Sequence, residues 1–372
     1  MKQIIHCCFT SHNEVLFRDS DDVSFFINAL ASTSWKYGIE LYADTEMSNH
    51  VHLMLSASDN HKNSLSSGYA GTFTDKYGLD RNGSILYNSS NQLYLFVSTL
   101  RKRMTRHFNL KYDRTGRIGE RSFFSTSVSG NYHLISAFSY VLRNPLHHGV
   151  SPTPFSYPFS SVNDLFVVEL GKTSRPYIGA TYCPSYRFNS KGRWVSRSSS
   201  GHKPDLVLPS GYIPITGRNA IKDYLPRNTD FPDEWVMSPD GTFLRPCFEE
   251  LRQTEMLFVS ASSFQYNMFR KTDDKWLQEQ NQDRSGQSPV CLKDIEPLHS
   301  DDDISIYLRN EKGGSFRKCF DDFSVCRIID HDILPEFKCK SVYKLTDDQR
   351  FKVRQILVND MHVPAWMVNR CL

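Results

Sequence analysis

The chain has 372 residues and a net charge of only +3, long enough for two or three domains of ~100–200 residues and too near neutral for whole-chain charge to name a partner. No run approaches the ~18 consecutive apolar residues of a membrane span, and the opening Met1-Lys2-Gln3-Ile4-Ile5-His6 lacks an apolar signal segment, which together point to a soluble, unexported, cytoplasmic protein with no membrane partner. Nine cysteines, an odd number without a Cys-x-x-Cys pair, argue against a disulfide framework or a cysteine zinc site.

In chain order, Ile4 to Thr10 reads as a strand. Asp21 to Tyr37 reads as a helix, with Val23, Phe26, Ile27 and Leu30 inward, Ser20 as N-cap and Gly38 as the stop. Ile39, Leu41 and Ala43 alternate with polar residues in a second strand, and His50 to Ser56 forms a third. On that third strand residues two apart share a face. His50 and His52 therefore project side by side, opposite Val51, Leu53 and Leu55, in a geometry that can hold one metal ion. Leu93, Phe96, Val97, Leu100, Met104 and Phe108 recur at helical spacing and predict a helix from Asn91 to Tyr112. Phe123 to Val128 is a fourth strand, and a helix from Asn131 is closed by Asn144-Pro145, because a residue before proline is pushed out of helical geometry. The order βαββαβ plus a helix predicts an α+β fold: a ferredoxin-like antiparallel sheet with helices on one face and the other face free to bind.

Positive charge gathers on the fifth of these segments, the helix from Asn91 to Tyr112, and on its exit. Arg101, Lys102, Arg103 and Arg106 lie on the helix, and Arg114, Arg117 and Arg121 follow in a turn with only two acids. Such an excess suits a phosphate backbone, although cations that merely solvate a helix give the same pattern. On the last helix Leu134, Ile135, Phe138, Val141 and Leu142 make the apolar stripe, whereas His133, Ser136, Tyr140 and Asn144 fall on another. Tyr140 and Asn144 thus point the same way. A phenol can attack phosphorus when a metal polarises the phosphate, and two imidazoles with one amide oxygen can hold that metal. A tyrosine here could equally be a partly buried aromatic with a satisfied hydroxyl.

The run Met47-Ser48-Asn49-His50-Val51-His52-Leu53-Met54-Leu55 resembles the histidine motif of the REP-associated tyrosine transposases of the HUH single-strand endonuclease superfamily. Ser139-Tyr140-Val141-Leu142-Arg143-Asn144-Pro145-Leu146-His147-His148-Gly149 resembles that family's Tyr-x-x-x-Asn-Pro segment. Phe17-Arg18-Asp19, Gly116 to Ser125, and Tyr157-Pro158-Phe159-Ser160-Ser161 agree in order, so the resemblance spans residues 1–165. It implies an HUH catalytic domain, a single-strand DNA endonuclease and strand transferase in which Tyr140 attacks a phosphodiester and leaves a 5′-phosphotyrosine and a free 3′-hydroxyl. It also implies a divalent ion, Mg2+ or Mn2+, on His50, His52 and Asn144, single-stranded or hairpin DNA as partner, and a monomer or a homodimer. Two features depart from the family: a long Ser56–Ser90 insertion, and Ile118-Gly119-Glu120-Arg121 where a tryptophan is common. A domesticated hairpin-binding protein without cleavage is the alternative. A histidine-triad hydrolase is disfavoured because position 54, where a further alternating histidine belongs, is Met54.

Residues 166–289 read as an extension with polar linkers at Tyr186–Asp205 and Gln278–Pro289. Helical pieces fall at Ala220–Tyr224 and Phe248–Leu277, with Phe258, Phe264, Tyr266 and Phe269 as core. In residues 290–372 Thr346-Asp347-Asp348-Gln349 is a capping box opening a helix with Phe351, Val353, Ile356 and Leu357 inward. Pro364 then starts a second helix, so the mostly helical C-terminal region holds either a truncated helix-turn-helix or two ordinary packed helices.

Overall fold

In a computed structural model the described residues are 3–11, 13–57, 89–120, 123–128, 130–148, 150–151, 153–167, 169–170, 231–232, 235–238, 241–269 and 321–372, with short ladders at 186–188/194–196 and 307–309/315–317 and a bridge from 213–214 to 236–237. The expected helix at Ala220–Tyr224, the linker at Gln278–Pro289 and all of the Ser56–Ser90 insertion except its ends lie outside them.

The elements are β1 (Ile4–Thr10), α1 (Ser20–Tyr37), β2 (Ile39–Met47), β3 (His50–Ala57), α2 (Ser89–Lys111), β4 (Phe124–Val128) and α3 (Asn131–His147). The four strands form one antiparallel sheet in the order β2-β3-β1-β4. Each βαβ unit is therefore split by a strand of the other, the connectivity of the ferredoxin-like arrangement. The N-cap of α1 is Asp19 rather than Ser20, because its carboxylate accepts from the Asp22 N–H at 3.0 Å. At the other end Gly38 adopts φ 62°, which a side chain would resist.

Period-two alternation divides the sheet into two unlike faces. Ile5, Cys7, Phe9, Val51, Leu53 and Leu55 pack against α1 and α2 in one core. Met54 and Ala43 pack against α3 in another, on the face that also carries His50 and His52. The expectation of one open face is thus corrected: α1 and α2 share a face, and α3 covers the opposite one. A bulge between Leu41 and Ala43 turns Tyr42 into the α3 core as well.

Helix α3 does not stop before Pro145 but runs through it to His147. Proline has no N–H for the carbonyl four residues back. That carbonyl, on Val141, accepts instead from the Thr45 hydroxyl of β2 at 2.9 Å.

Strand β2 lies at the edge of the sheet, and later residues cover it. The Glu46 N–H donates to the Phe159 carbonyl at 3.0 Å and the Glu250 N–H to the Leu41 carbonyl at 2.7 Å, which removes an exposed ladder. Arg245, fully buried, contacts Asp44 at 2.7 Å, Glu46 at 3.0 Å, Glu249 at 3.2 Å and Asp164 at 3.6 Å. Residues 231–269 thus build onto the sheet unit itself. Helices α4 (Leu251–Phe258) and α5 (Ala261–Met268) follow. Phe258 and Phe264 are buried as expected, but Tyr266 and Phe269 are 64% and 48% exposed, since they lie on the outer side of α5.

The C-terminal helices are α6 (Asp322–Arg327), α7 (Asp347–Gln355) and α8 (Ala365–Cys371). The capping box forms as expected, with the Gln349 N–H donating to Thr346 Oγ1 and the Thr346 N–H to Gln349 Oε1. Val353 and Leu357 are buried, but Phe351, two residues or about 200° around the helix from Val353, faces solvent. This unit docks through the buried Arg18, which donates to both carboxylate oxygens of Asp330 at 2.7 and 2.9 Å and to the Cys371 carbonyl at 2.7 Å.

Two stability tests follow from these ion pairs. Asp330→Ala strands a buried guanidinium, so urea unfolding is expected to show a loss of about 3–5 kcal/mol; a change within 1 kcal/mol would contradict the docking role. Burial, then the Asp44 charge, raise the Glu249 pKa well above its ordinary value, against the pull of Arg245. A raised folded-state pKa gives stability that is full below the unfolded value and is lost as pH rises through the folded one. Glu249→Gln is therefore expected to flatten the fall of stability as pH rises above the ordinary carboxylate range, by up to about 1.4 kcal/mol per unit; parallel profiles would refute the assignment.

Candidate active site

The site begins with the register of two strands. His50 pairs with Thr10, His52 with Cys8 and Met54 with His6, so β1 and β3 present all six side chains to α3. His50 and His52 do lie on one face, their ring centroids 5.0 Å apart and their planes at 81°. Both are buried, at 2% and 0% exposure.

Helix α3 delivers the other half. Asn144 and Tyr140, one turn apart, both face the histidines. Asn144 Oδ1 lies 2.8 Å from His50 Nε2, and Asn144 Nδ2 donates to the Tyr140 hydroxyl oxygen at 3.2 Å. The Tyr140 ring stands edge-on to His52 at 5.4 Å. A single chain thus brings together the four predicted residues His50, His52, Tyr140 and Asn144.

The arrangement has a distinct proton balance. His50 Nδ1 faces Asn49 Oδ1 at 2.8 Å, while its Nε2 faces Asn144 Oδ1 at 2.8 Å. A neutral imidazole has one N–H for these two oxygens. Either a second proton or a cation satisfies the remaining contact.

Three further histidines surround the centre, and the sequence reading passed over all of them as site residues. His6 Nε2 lies 2.9 Å from His52 Nδ1, with the two rings stacked at 5.1 Å. Burial, with His133 adding, pushes the His6 imidazole down to about 3, so it is neutral at physiological pH. His148, at 5% exposure, stands edge-on to His50 at 5.0 Å, and His147 to Tyr140 at 6.0 Å. The signal for His6 was present in β1, where Ile5, Cys7 and Phe9 alternate with His6 and Cys8. A cavity beside His50 and His148 is also lined by Asn49, Asp322, Phe323 and Arg370, so α6 and α8 border the site. Among the described residues no three His, Cys, Asp or Glu side chains converge as a metal-binding group; the predicted donor set mixes two imidazoles with an amide.

The seven predicted DNA-binding cations are scattered. Arg103 donates to the Ser32 and Thr33 hydroxyls at 3.1 and 2.6 Å. Arg101 is half-buried, and burial, then Arg117, lower its pKa. Arg114 pairs with Glu14 at 3.1 Å and lies over the Tyr343 ring. Lys102, Arg106 and Arg117 are exposed, and Arg121 lies outside the described residues. Helix α2 itself packs on the sheet face away from Tyr140. The turn carrying Arg114 and Arg117 nonetheless closes on the histidine end of the sheet, where the Glu120 N–H donates to the carbonyl of Thr10, the partner of His50.

No protein-family model matches this chain, and neither does any curated protein. A solved structure of a REP-associated tyrosine transposase bound to a REP hairpin is similar over 47% of this chain and 84% of that one, with 13% identity and a TM-score of 0.31, too low to carry weight.

The Asn49–His50–Asn144–Tyr140 contacts predict a structural cost that needs no substrate. Asn144→Ala removes a partner from both His50 Nε2 and the Tyr140 hydroxyl. Chemical denaturation is expected to show a loss of about 1–3 kcal/mol; an unchanged midpoint would show these contacts to be idle.

Proposed function

We propose that this protein is a metal-dependent single-strand DNA nuclease and strand transferase with Tyr140 as nucleophile. The observation that carries the reading is the continuous contact from His50 through Asn144 to the Tyr140 hydroxyl within one chain. The Tyr140 phenol loses its proton, its oxygen bonds to phosphorus and the P–O3′ bond breaks. The departing 3′ oxygen takes a proton, leaving a 5′-phosphotyrosine and a free 3′-hydroxyl. Because the phosphotyrosine conserves the energy of the cleaved ester, attack by a DNA hydroxyl rejoins strands without ATP.

Two of the three donors are spaced to suit a divalent cation. Two donors at neighbouring positions of an octahedron with ~2.1 Å bonds lie about 3 Å apart, and His50 Nε2 and Asn144 Oδ1 are 2.8 Å apart. The same amide turns its NH2 to Tyr140, where a hydrogen bond stabilises negative charge on the phenol oxygen. When bound to His50, His52 and Asn144, Mg2+ or Mn2+ supplies positive charge to the phosphate. Imidazole ligands favour Mn2+ of the two.

Tyr140 is only 5% exposed, so a phosphodiester reaches it only after a covering element moves. That closure favours a second reading, a hairpin-DNA-binding protein that no longer cleaves. One experiment separates them. With labelled single-stranded hairpin DNA and Mn2+, a covalent protein–DNA adduct is expected on a denaturing gel, absent in Tyr140→Phe and in His50→Ala. No adduct with any hairpin, together with salt-sensitive binding indifferent to Mn2+ and to His50→Ala, would replace the first reading by the second.

A further inference from the structure

His6 has no part in the phosphoryl chemistry above, yet it is in hydrogen-bond contact with a proposed ligand. It is fully buried among the His52 ring at 5.1 Å, Phe124 at 5.9 Å and Tyr140 at 6.2 Å. Its Nε2 lies 2.9 Å from His52 Nδ1, while its own Nδ1 has no hydrogen-bond partner among the described residues. An apolar side chain would fill this space without leaving a ring nitrogen unsatisfied. What the imidazole adds is one polar contact at His52 Nδ1, as donor or acceptor according to its tautomer.

That atom matters because His52 can bind a cation through Nε2 only if its proton sits on Nδ1. Metal-bound histidines generally donate their second nitrogen to a neighbouring acceptor, which fixes tautomer and ring orientation. His50 has such a neighbour in Asn49 Oδ1, at 2.8 Å from Nδ1. We infer that His6 is the corresponding positioning residue for His52: its Nε2 accepts the His52 Nδ1–H, its own proton sits on Nδ1, and the lone pair a cation needs falls on His52 Nε2. The inference rests on the metal-dependent reading proposed above. If the bond ran the other way, His52 would carry its proton on Nε2, facing Cys8 Sγ at 4.0 Å, and would be closed to a cation.

The test uses the full-length protein. Nitrogen-15 NMR of the metal-free chain reads the His52 tautomer directly, and Mn2+ titration followed by electron paramagnetic resonance reads affinity. His52 is expected as the Nδ1–H form in the wild type and as a tautomer mixture in His6→Phe, which keeps the volume and loses the acceptor. Mn2+ binding should weaken about 10- to 100-fold in His6→Phe and return to within a few-fold of wild type in His6→Gln, whose amide oxygen can accept the same proton. A His52 tautomer unchanged in His6→Phe, or an Nε2–H form in the wild type, overturns the assignment. Should the wild type bind no Mn2+, the metal-dependent reading falls, while the tautomer comparison still decides whether His6 sets His52. If His6→Phe does not fold, His6→Gln with an unaltered tautomer supports the role and with an altered one refutes it.

Discussion

The site depends on one missing hydrogen bond. Pro145 has no N–H for the Val141 carbonyl, and the Thr45 hydroxyl supplies the replacement from β2. A helix whose last turns were satisfied internally would have less reason to lie against this sheet at a fixed depth and rotation. Here the carbonyl one residue beyond Tyr140 is tied to the strand beside the histidine strand, and Asn144, immediately before the proline, is set against His50. Thr45 also contacts Ser160 at 2.8 Å, so the segment covering the edge strand belongs to the same joint. The Asn-Pro pair is therefore an anchoring device within the helix rather than its terminator.

This joint closes a polar layer that the sheet cannot solvate. His6, His50, His52, Thr45 and Asn144 are all buried, and each buried polar group left without a partner costs about 1–3 kcal/mol. Apolar residues would stabilise the fold at lower cost, as the opposite face shows with Ile5, Phe9, Val51, Leu53 and Leu55. One sheet thus carries an ordinary core on one side and a histidine-rich layer on the other. Local rules of stability are broken where side chains are held for chemistry rather than for packing.

The sheet was legible in the sequence because alternation and helical spacing are strong over long elements. The apolar stripe of α2 and the side-by-side placement of His50 and His52 follow directly from it. Three features were not legible, each because a tertiary partner decides it. The continuation of α3 through Pro145 depends on Thr45, almost a hundred residues away. The docking of 231–269 depends on Arg245 meeting Asp44 and Glu46, which no local pattern announces. Phe351, Tyr266 and Phe269 look like core by composition, but helix rotation turns them outward.

The basic segment shows why a charge run is weaker evidence than an apolar stripe. The stripe on α2 must face the sheet, and cations flanking it lay their stems along the neighbouring helix. Arg103 accordingly ends on the hydroxyls of α1, and Arg101, on another side of the helix, is half-buried near Arg117 and Glu120. Lys102 and Arg106 remain exposed, but on the side of the sheet away from Tyr140. A strand lying along α2 cannot at the same time lie on the tyrosine unless it passes around an end of the sheet. Arg117 projects from the turn at the histidine end, where Glu120 is bonded to the strand partner of His50.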